Sequence, residues 1–177
     1  MNGAKILSIA AQRPARTMSN DELPGKFDID DAWIQSRTGI ATRGVANVEE
    51  TLVEMSAGAA SKAIAEAGID PATIDLTIVA TSSNPITTPG IAPPLTDRLG
   101  LTSGAFDIMA ACAVFCYSVN VAADSIRAGS ARNVLVVGAE RITDRMDWND
   151  RNTCYLFGDG AGAAIISATD VDDDGIG

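Results

Sequence analysis

A chain of 177 residues, 46% of them hydrophobic, is long enough to close one substantial core, and its length suits one domain. A formal net charge of −10 argues against nucleic acid as a partner, so any anionic ligand must find a local basic patch. The lack of histidine argues against a zinc site, no metal-binding residues are expected, and three cysteines give no disulfide framework.

The apolar run at the N-terminus is too short to span a bilayer, the segment around Arg13 and Arg16 has no secretory cleavage pattern, and no later stretch is membrane-spanning. Residues 4–10 therefore read as the first strand of a cytoplasmic protein. Residues 30–37, which include Trp33, read as a short helix before the turn at Gly39, and residues 40–45 as a second, partly exposed strand. Thr51 and Glu54 form a capping box, after which Leu52, Met55, Ala59, Ala63 and Ala67 recur at helical spacing up to the stop at Gly68.

Residues 76–80, 134–137 and 163–166 are near-continuous apolar runs, without the alternation of a sheet that has one wet face. They predict strands buried on both sides. With a helix over about residues 93–99, a strand over 106–109 and the 30–45 excursion set aside, the order of elements predicts an α/β fold. Its sheet is largely parallel, covered by helices and joined by right-handed crossovers.

Residues 110–129 read as a helix that is apolar or small nearly all the way round. Its strongly polar residues Asn120, Asp124 and Arg127 fall four and three apart on one narrow stripe. Such a helix lies inside a protein. Cys112 follows the strand and stands in the first residues of this helix, where backbone N–H groups and the positive end of the dipole favour a thiolate nucleophile. The plainer alternative is a small core residue, since free cysteine is among the most buried types. Cys112 and Cys116 point the same way on the helix but are poorly placed for a bond, and Cys116 and Cys154 read as packing residues.

In residues 157–164 three glycines alternate with small residues before a strand instead of opening a helix, so phosphate binding is a poor reading. Close backbone approach explains them better, with the start of the Cys112 helix as a candidate neighbour. Residues 1–169 read as the folded unit. Residues 170–177, with four aspartates between 170 and 174, read as an acidic linker toward something that follows.

Several motifs now combine: Asp31-Ala32-Trp33-Ile34 leading to Arg37-Thr38-Gly39-Ile40, the 76–81 strand, Phe106-Asp107 leading to Ala110-Ala111-Cys112-Ala113, Val136-Val137-Gly138, Asp150-Arg151, and the glycine stretch at 158–164. On these the sequence resembles, nearly end to end, the beta-ketoacyl-acyl carrier protein synthase III family of the thiolase superfamily. The resemblance implies the N-terminal half of a duplicated five-layer α-β-α-β-α fold with a mostly parallel mixed sheet. It implies that Cys112 takes an acyl group from acyl-CoA, a substrate with no further cofactor needed, and that the thioester condenses with malonyl-acyl carrier protein as carbon dioxide leaves. The histidine and asparagine that stabilise condensation would come from a C-terminal half absent from this chain.

The same resemblance assigns Trp33 and Arg151 to the two faces of the CoA adenine, with Arg37 toward the phosphates or pantetheine. Helix packing for Trp33 and a surface role for Arg151 are the bland alternatives. Val114 stands where the family usually has glycine, and Thr88 where some relatives carry a bulky aromatic, so both are read as shaping the acyl pocket. A homodimer is implied, with Ile86 and Ile91, near Pro85 and Pro89, on a loop suited to packing on a partner. Two other readings share these residues: acyl transfer to a hydroxyl or amine, and a noncatalytic partner subunit.

Overall fold

A computed structural model describes residues 3–24, 28–86 and 88–170. The sequence expectation about residues 170–177 as a linker falls outside these, apart from Asp170. Five strands form the main sheet: β1 (Gly3–Gln12), β4 (Leu76–Ala80), β5 (Gly104–Ile108), β6 (Asn133–Glu140) and β7 (Gly160–Thr169), in the spatial order β1-β7-β6-β4-β5. β4 pairs parallel with both β5 and β6, whereas β7 is antiparallel to both β6 and β1. Four strands therefore point one way and β7 alone runs against them, so the sheet is mixed and mostly parallel. The reversal follows from the connection. The chain from β6 returns to β7 through residues 141–159 without crossing the sheet, and neighbours joined that way are antiparallel.

The apolar runs are explained by what lies on each side. Val79, Leu135, Val137, Ala163 and Ile165 face the helices α2 (Leu52–Ala67) and α3 (Ala92–Leu99). Their alternate neighbours Ile78, Val134, Val136, Ala164 and Ile166 face α4 (Val114–Arg127). On α2, Ala59, Ala60 and Ala63 are fully buried, and small side chains there let the helix lie close to the sheet. Thr51 caps α2, accepting from Glu54 N at 3.2 Å, and Gly68 ends it in the left-handed region at φ 64°. The capping box expected there is only half formed, because the Glu54 carboxylate is taken by Arg98 of α3 at 2.9 and 3.2 Å.

The second expected strand is β3 (Thr42–Gly44), and it pairs with a strand the sequence did not reveal, β2 (Thr17–Ser19). Between them lies α1 (Asp31–Thr38), capped by Asp30, whose carboxylate accepts from Trp33 N at 2.7 Å. Among the described residues, no helix is long and apolar enough to cross a membrane, and no group of three or more His, Cys, Asp or Glu is placed to hold a metal ion.

Helix α3 carries Pro93 and Pro94 in its first turn and has no side-chain cap of its own residues. Asp107 on β5 supplies one across the fold, accepting from Ile91 N at 2.6 Å and Ala92 N at 2.7 Å. A Cβ at Gly90 would stand 2.6 Å from the Asp107 carboxyl carbon, so this loop closes only with glycine there. Asp107→Ala should cost about 1–3 kcal/mol of stability by stranding these donors. Urea unfolding checks it, and an unchanged midpoint would mean that α3 starts without this cap.

Candidate active site

Past the end of β5 the chain passes exposed Met109 and turns at Ala111, which is held at φ 47°. A residue with a Cβ adopts this left-handed conformation at a cost of about 1–2 kcal/mol, and such strain concentrates at functional sites. The turn presents Cys112 at the surface, in the 3-10 turn Ala111–Ala113 that runs into α4. No side chain caps either turn or helix, so the first N–H groups favour negative charge beside them.

Helix α4 buries Val114, Ser118, Ala122, Ala123 and Ile126 on the sheet. Its other side is open: Phe115, Tyr117 and Val121 are exposed, Tyr117 by 54%, so in this chain the helix is covered on one face and not all round. Cys116 lies on that open side and is not the packing residue expected. Phe115 does reach the sheet, where a Cβ on Gly138 would stand 3.0 Å from its ring. Val114 is buried in the first turn of α4, whereas Thr88 is exposed on the loop between β4 and α3. Neither lines the mainly apolar cavity of about 380 Å³ between that loop and the start of α2, walled by Leu52, Val53, Ile86 and Ile91.

A second group forms around Trp33. The Arg37 guanidinium carbon lies 4.6 Å from the indole centroid and that of Arg151 lies 5.3 Å from it. Tyr155 meets the same ring edge-on, centroids 5.7 Å apart at 87°. Three residues named from sequence are thus gathered on one ring, while Tyr155 was not foreseen. An exposed cation–π contact contributes about 0.5–1 kcal/mol. More to the point for binding, planar groups here offer stacking surface, and two positive charges cluster in a chain whose net charge is −10.

Arg151 is posed by its neighbour. Asp150 accepts from Asn152 N at 2.9 Å and from the Thr153 hydroxyl at 2.5 Å, closing the turn. These bonds, the Thr153 hydroxyl first, hold the Asp150 carboxyl below the usual carboxylate range. Support for the turn is therefore complete above the ordinary aspartate range and is lost as pH falls through the lowered value. Cys154, four residues on, is buried, and burial pushes its thiol up, as a packing role requires.

The glycine stretch does make a close approach, but to β3 and not to the Cys112 helix. A Cβ at Gly158 would lie 3.0 Å from both Arg43 Cβ and Gly44 O. The Asp159 backbone N–H donates to Gly44 O at 2.9 Å, which fixes the pairing. The buried Asp159 carboxylate accepts from Ala46 N, Thr143 N and the Thr143 hydroxyl at 2.8, 3.0 and 2.6 Å. It pins both ends of the 141–159 excursion that carries Arg151.

Residues 106–177 match the sequence profile of the 3-oxoacyl-[acyl-carrier-protein (ACP)] synthase III family. The chain is 43% identical over 169 residues to the beta-ketoacyl-[acyl-carrier-protein] synthase III of Streptomyces lividans, covering 95% of this chain and 50% of that protein. It is 45% identical over 172 residues to the enzyme of that name from Neisseria meningitidis serogroup B, covering 96% and 54%. The crystal structure of the priming beta-ketosynthase from the R1128 polyketide biosynthetic pathway superposes with a TM-score of 0.91 at 42% identity, covering 96% of this chain and 51% of that one. Over nearly its whole length the chain is thus similar to the beta-ketoacyl-[acyl-carrier-protein] synthase III family. Its mixed sheet, helix-covered on both faces, is the thiolase-like arrangement of that family. The chain spans about half the length of the curated relatives it matches.

Labelling of the native protein with iodoacetamide should separate the three thiols. Cys154 should stay unmodified until unfolding, and Cys112 should react faster than Cys116 although both are exposed. Equal rates at Cys112 and Cys116 would contradict activation at the helix start.

Proposed function

We propose that the protein containing this chain is an acyltransferase that primes fatty acid or polyketide synthesis, with Cys112 as its nucleophile. The reading rests above all on an exposed cysteine held on a strained turn, in a chain more than 40% identical to synthases of that name. The Cys112 thiolate attacks the thioester carbonyl of an acyl-CoA. The C–S bond to CoA breaks, and CoA leaves as a thiolate that takes a proton. Malonyl-acyl carrier protein then loses carbon dioxide, and its carbanion attacks the Cys112 thioester. A carbon–carbon bond forms and the Cys112 thiolate is released. Trp33 and Arg151 flank the CoA adenine, the Arg151 side chain moving off the indole it now covers to admit the base, with Arg37 toward the phosphates. In this scheme Thr88 and Val114 shape the space for the acyl chain.

Decarboxylation builds charge on a thioester oxygen, and the donors for it are a histidine and an asparagine from a second half of the protein. That half would also cover apolar side chains left open here: Phe115, Tyr117 and Val121 on α4, and Ile6 and Ile9 on the same side of β1, Ile9 being 66% exposed. The free edge of β5, with Phe106 and Met109 exposed beside the loop of Ile86, suits pairing with a second copy.

In the whole protein, Cys112→Ala should abolish ketoacyl product formed from acyl-CoA and malonyl-acyl carrier protein. Turnover that survives would remove Cys112 from the chemistry. Product formed only with hydroxyl or amine acceptors would favour acyl transfer without condensation, and no product with any acceptor would favour a noncatalytic subunit. Residues 1–177 alone should self-acylate slowly at most and form no ketoacyl product, since removing one such donor costs condensation about 100- to 1,000-fold in rate. Condensation by this chain alone at enzymatic rates would contradict the need for a second half.

A further inference from the structure

Arg43 is a buried arginine, 6% exposed, in a strand of three residues, and all four acceptors it reaches are neutral oxygens. Its Nη1 donates to Met18 O at 3.4 Å and Ser19 O at 3.2 Å, and its Nη2 donates to the Asn20 side-chain oxygen and to Tyr155 O at 3.3 Å. A buried guanidinium is expensive, and nothing in the chemistry of Cys112 uses it. What it joins gives it a purpose.

From Asn20 the network continues to α1. The Asn20 amide nitrogen donates to Asp31 Oδ1 at 2.8 Å, at the first residue of the helix, and to Ile40 O at 2.7 Å, just beyond its end. Helix α1 carries Trp33 and Arg37 and is only eight residues long, so these bonds at both ends fix its place. On the other side Arg43 grips the main chain at Tyr155, whose ring meets the edge of Trp33 and which lies four residues from Arg151. The 141–159 excursion has no helix longer than three residues to hold it rigid. The two walls of the proposed adenine site thus come from separate parts of the chain and are tied to one guanidinium.

We propose that Arg43 is a positioning residue for nucleotide recognition, fixing the backbone segments that carry Trp33 and Arg151 relative to one another, through Asn20 on one side and the Tyr155 carbonyl on the other. This rests on the reading of Trp33 and Arg151 as the adenine site. Lysine cannot replace it, because an ammonium lacks the planar fork that reaches four acceptors on two segments. Nucleotide affinity therefore depends on a residue that never touches the nucleotide.

The test uses the whole protein, CoA binding by calorimetry, and Cys112 acylation by two donors: acyl-CoA, and an acyl-pantetheine that lacks the nucleotide. Arg43→Lys and Asn20→Ala should each weaken CoA binding and raise KM for acyl-CoA about 3- to 10-fold, the worth of one misaligned stacking contact. Both should leave the rate with acyl-pantetheine unchanged. Unaltered CoA affinity in a folded Arg43→Lys protein would overturn the proposal. If that variant does not fold, or loses both donors equally, Asn20→Ala decides, and unaltered CoA affinity there overturns it. Trp33→Ala and Arg151→Ala separate the two levels. If they leave CoA binding intact, the adenine site itself is misassigned; if they weaken it while the Arg43 and Asn20 variants do not, only the positioning role fails.

Discussion

A sheet that is apolar on both faces must be covered on both, and the rest of this structure follows from that demand. Val134 to Val137 alternate between two cores, one closed by α2 and α3 and the other by α4. The helix that closes the second core is the one that begins at Cys112. Burial of Ala122, Ala123 and Ile126 therefore anchors the far end of α4, and the strained turn at Ala111 brings its near end out to solvent. Packing energy spread along a helix thus supports a costly conformation at one residue.

The loops are held by a different force. Between β6 and β7, and between β1 and α2, the chain has little regular structure, and buried polar side chains stand in for a core there. Asp159 closes the 141–159 excursion onto β3, and Arg43 joins α1 to Tyr155. Each satisfies backbone groups that would otherwise be stranded, and each depends on a residue far away in sequence. Loops anchored in this way suit the proposed chemistry, because the segments carrying Trp33 and Arg151 keep their places while the Arg151 side chain moves off the indole to admit a flat base.

This division also explains what could be read from the amino acids alone. The strands at 76–80 and 134–137 were legible because apolar burial leaves a local pattern, and α2 because its caps at Thr51 and Gly68 are local too. Trp33, Arg37 and Arg151 could be grouped only through resemblance, since nothing in their spacing says that one ring gathers them. Arg43 and Asn20 left no signal, because a lone charge in a short strand reads as a solvated side chain. The direction of β7, the partner of Gly158 and the exposure of Cys116 were illegible for the same reason, as each is decided by long-range pairing. Strand β2 is three residues long and has no periodicity to detect.

The central claim is that the thiol at the start of α4 carries the acyl group. Peptide mapping by mass spectrometry, after brief exposure of the whole protein to one equivalent of acyl-CoA, tests it most directly. The account predicts the added acyl mass on the peptide containing Cys112, removable by hydroxylamine, with the Cys116 and Cys154 thiols unmodified. Acyl mass on another residue, or none on Cys112 while the protein turns over, would contradict it.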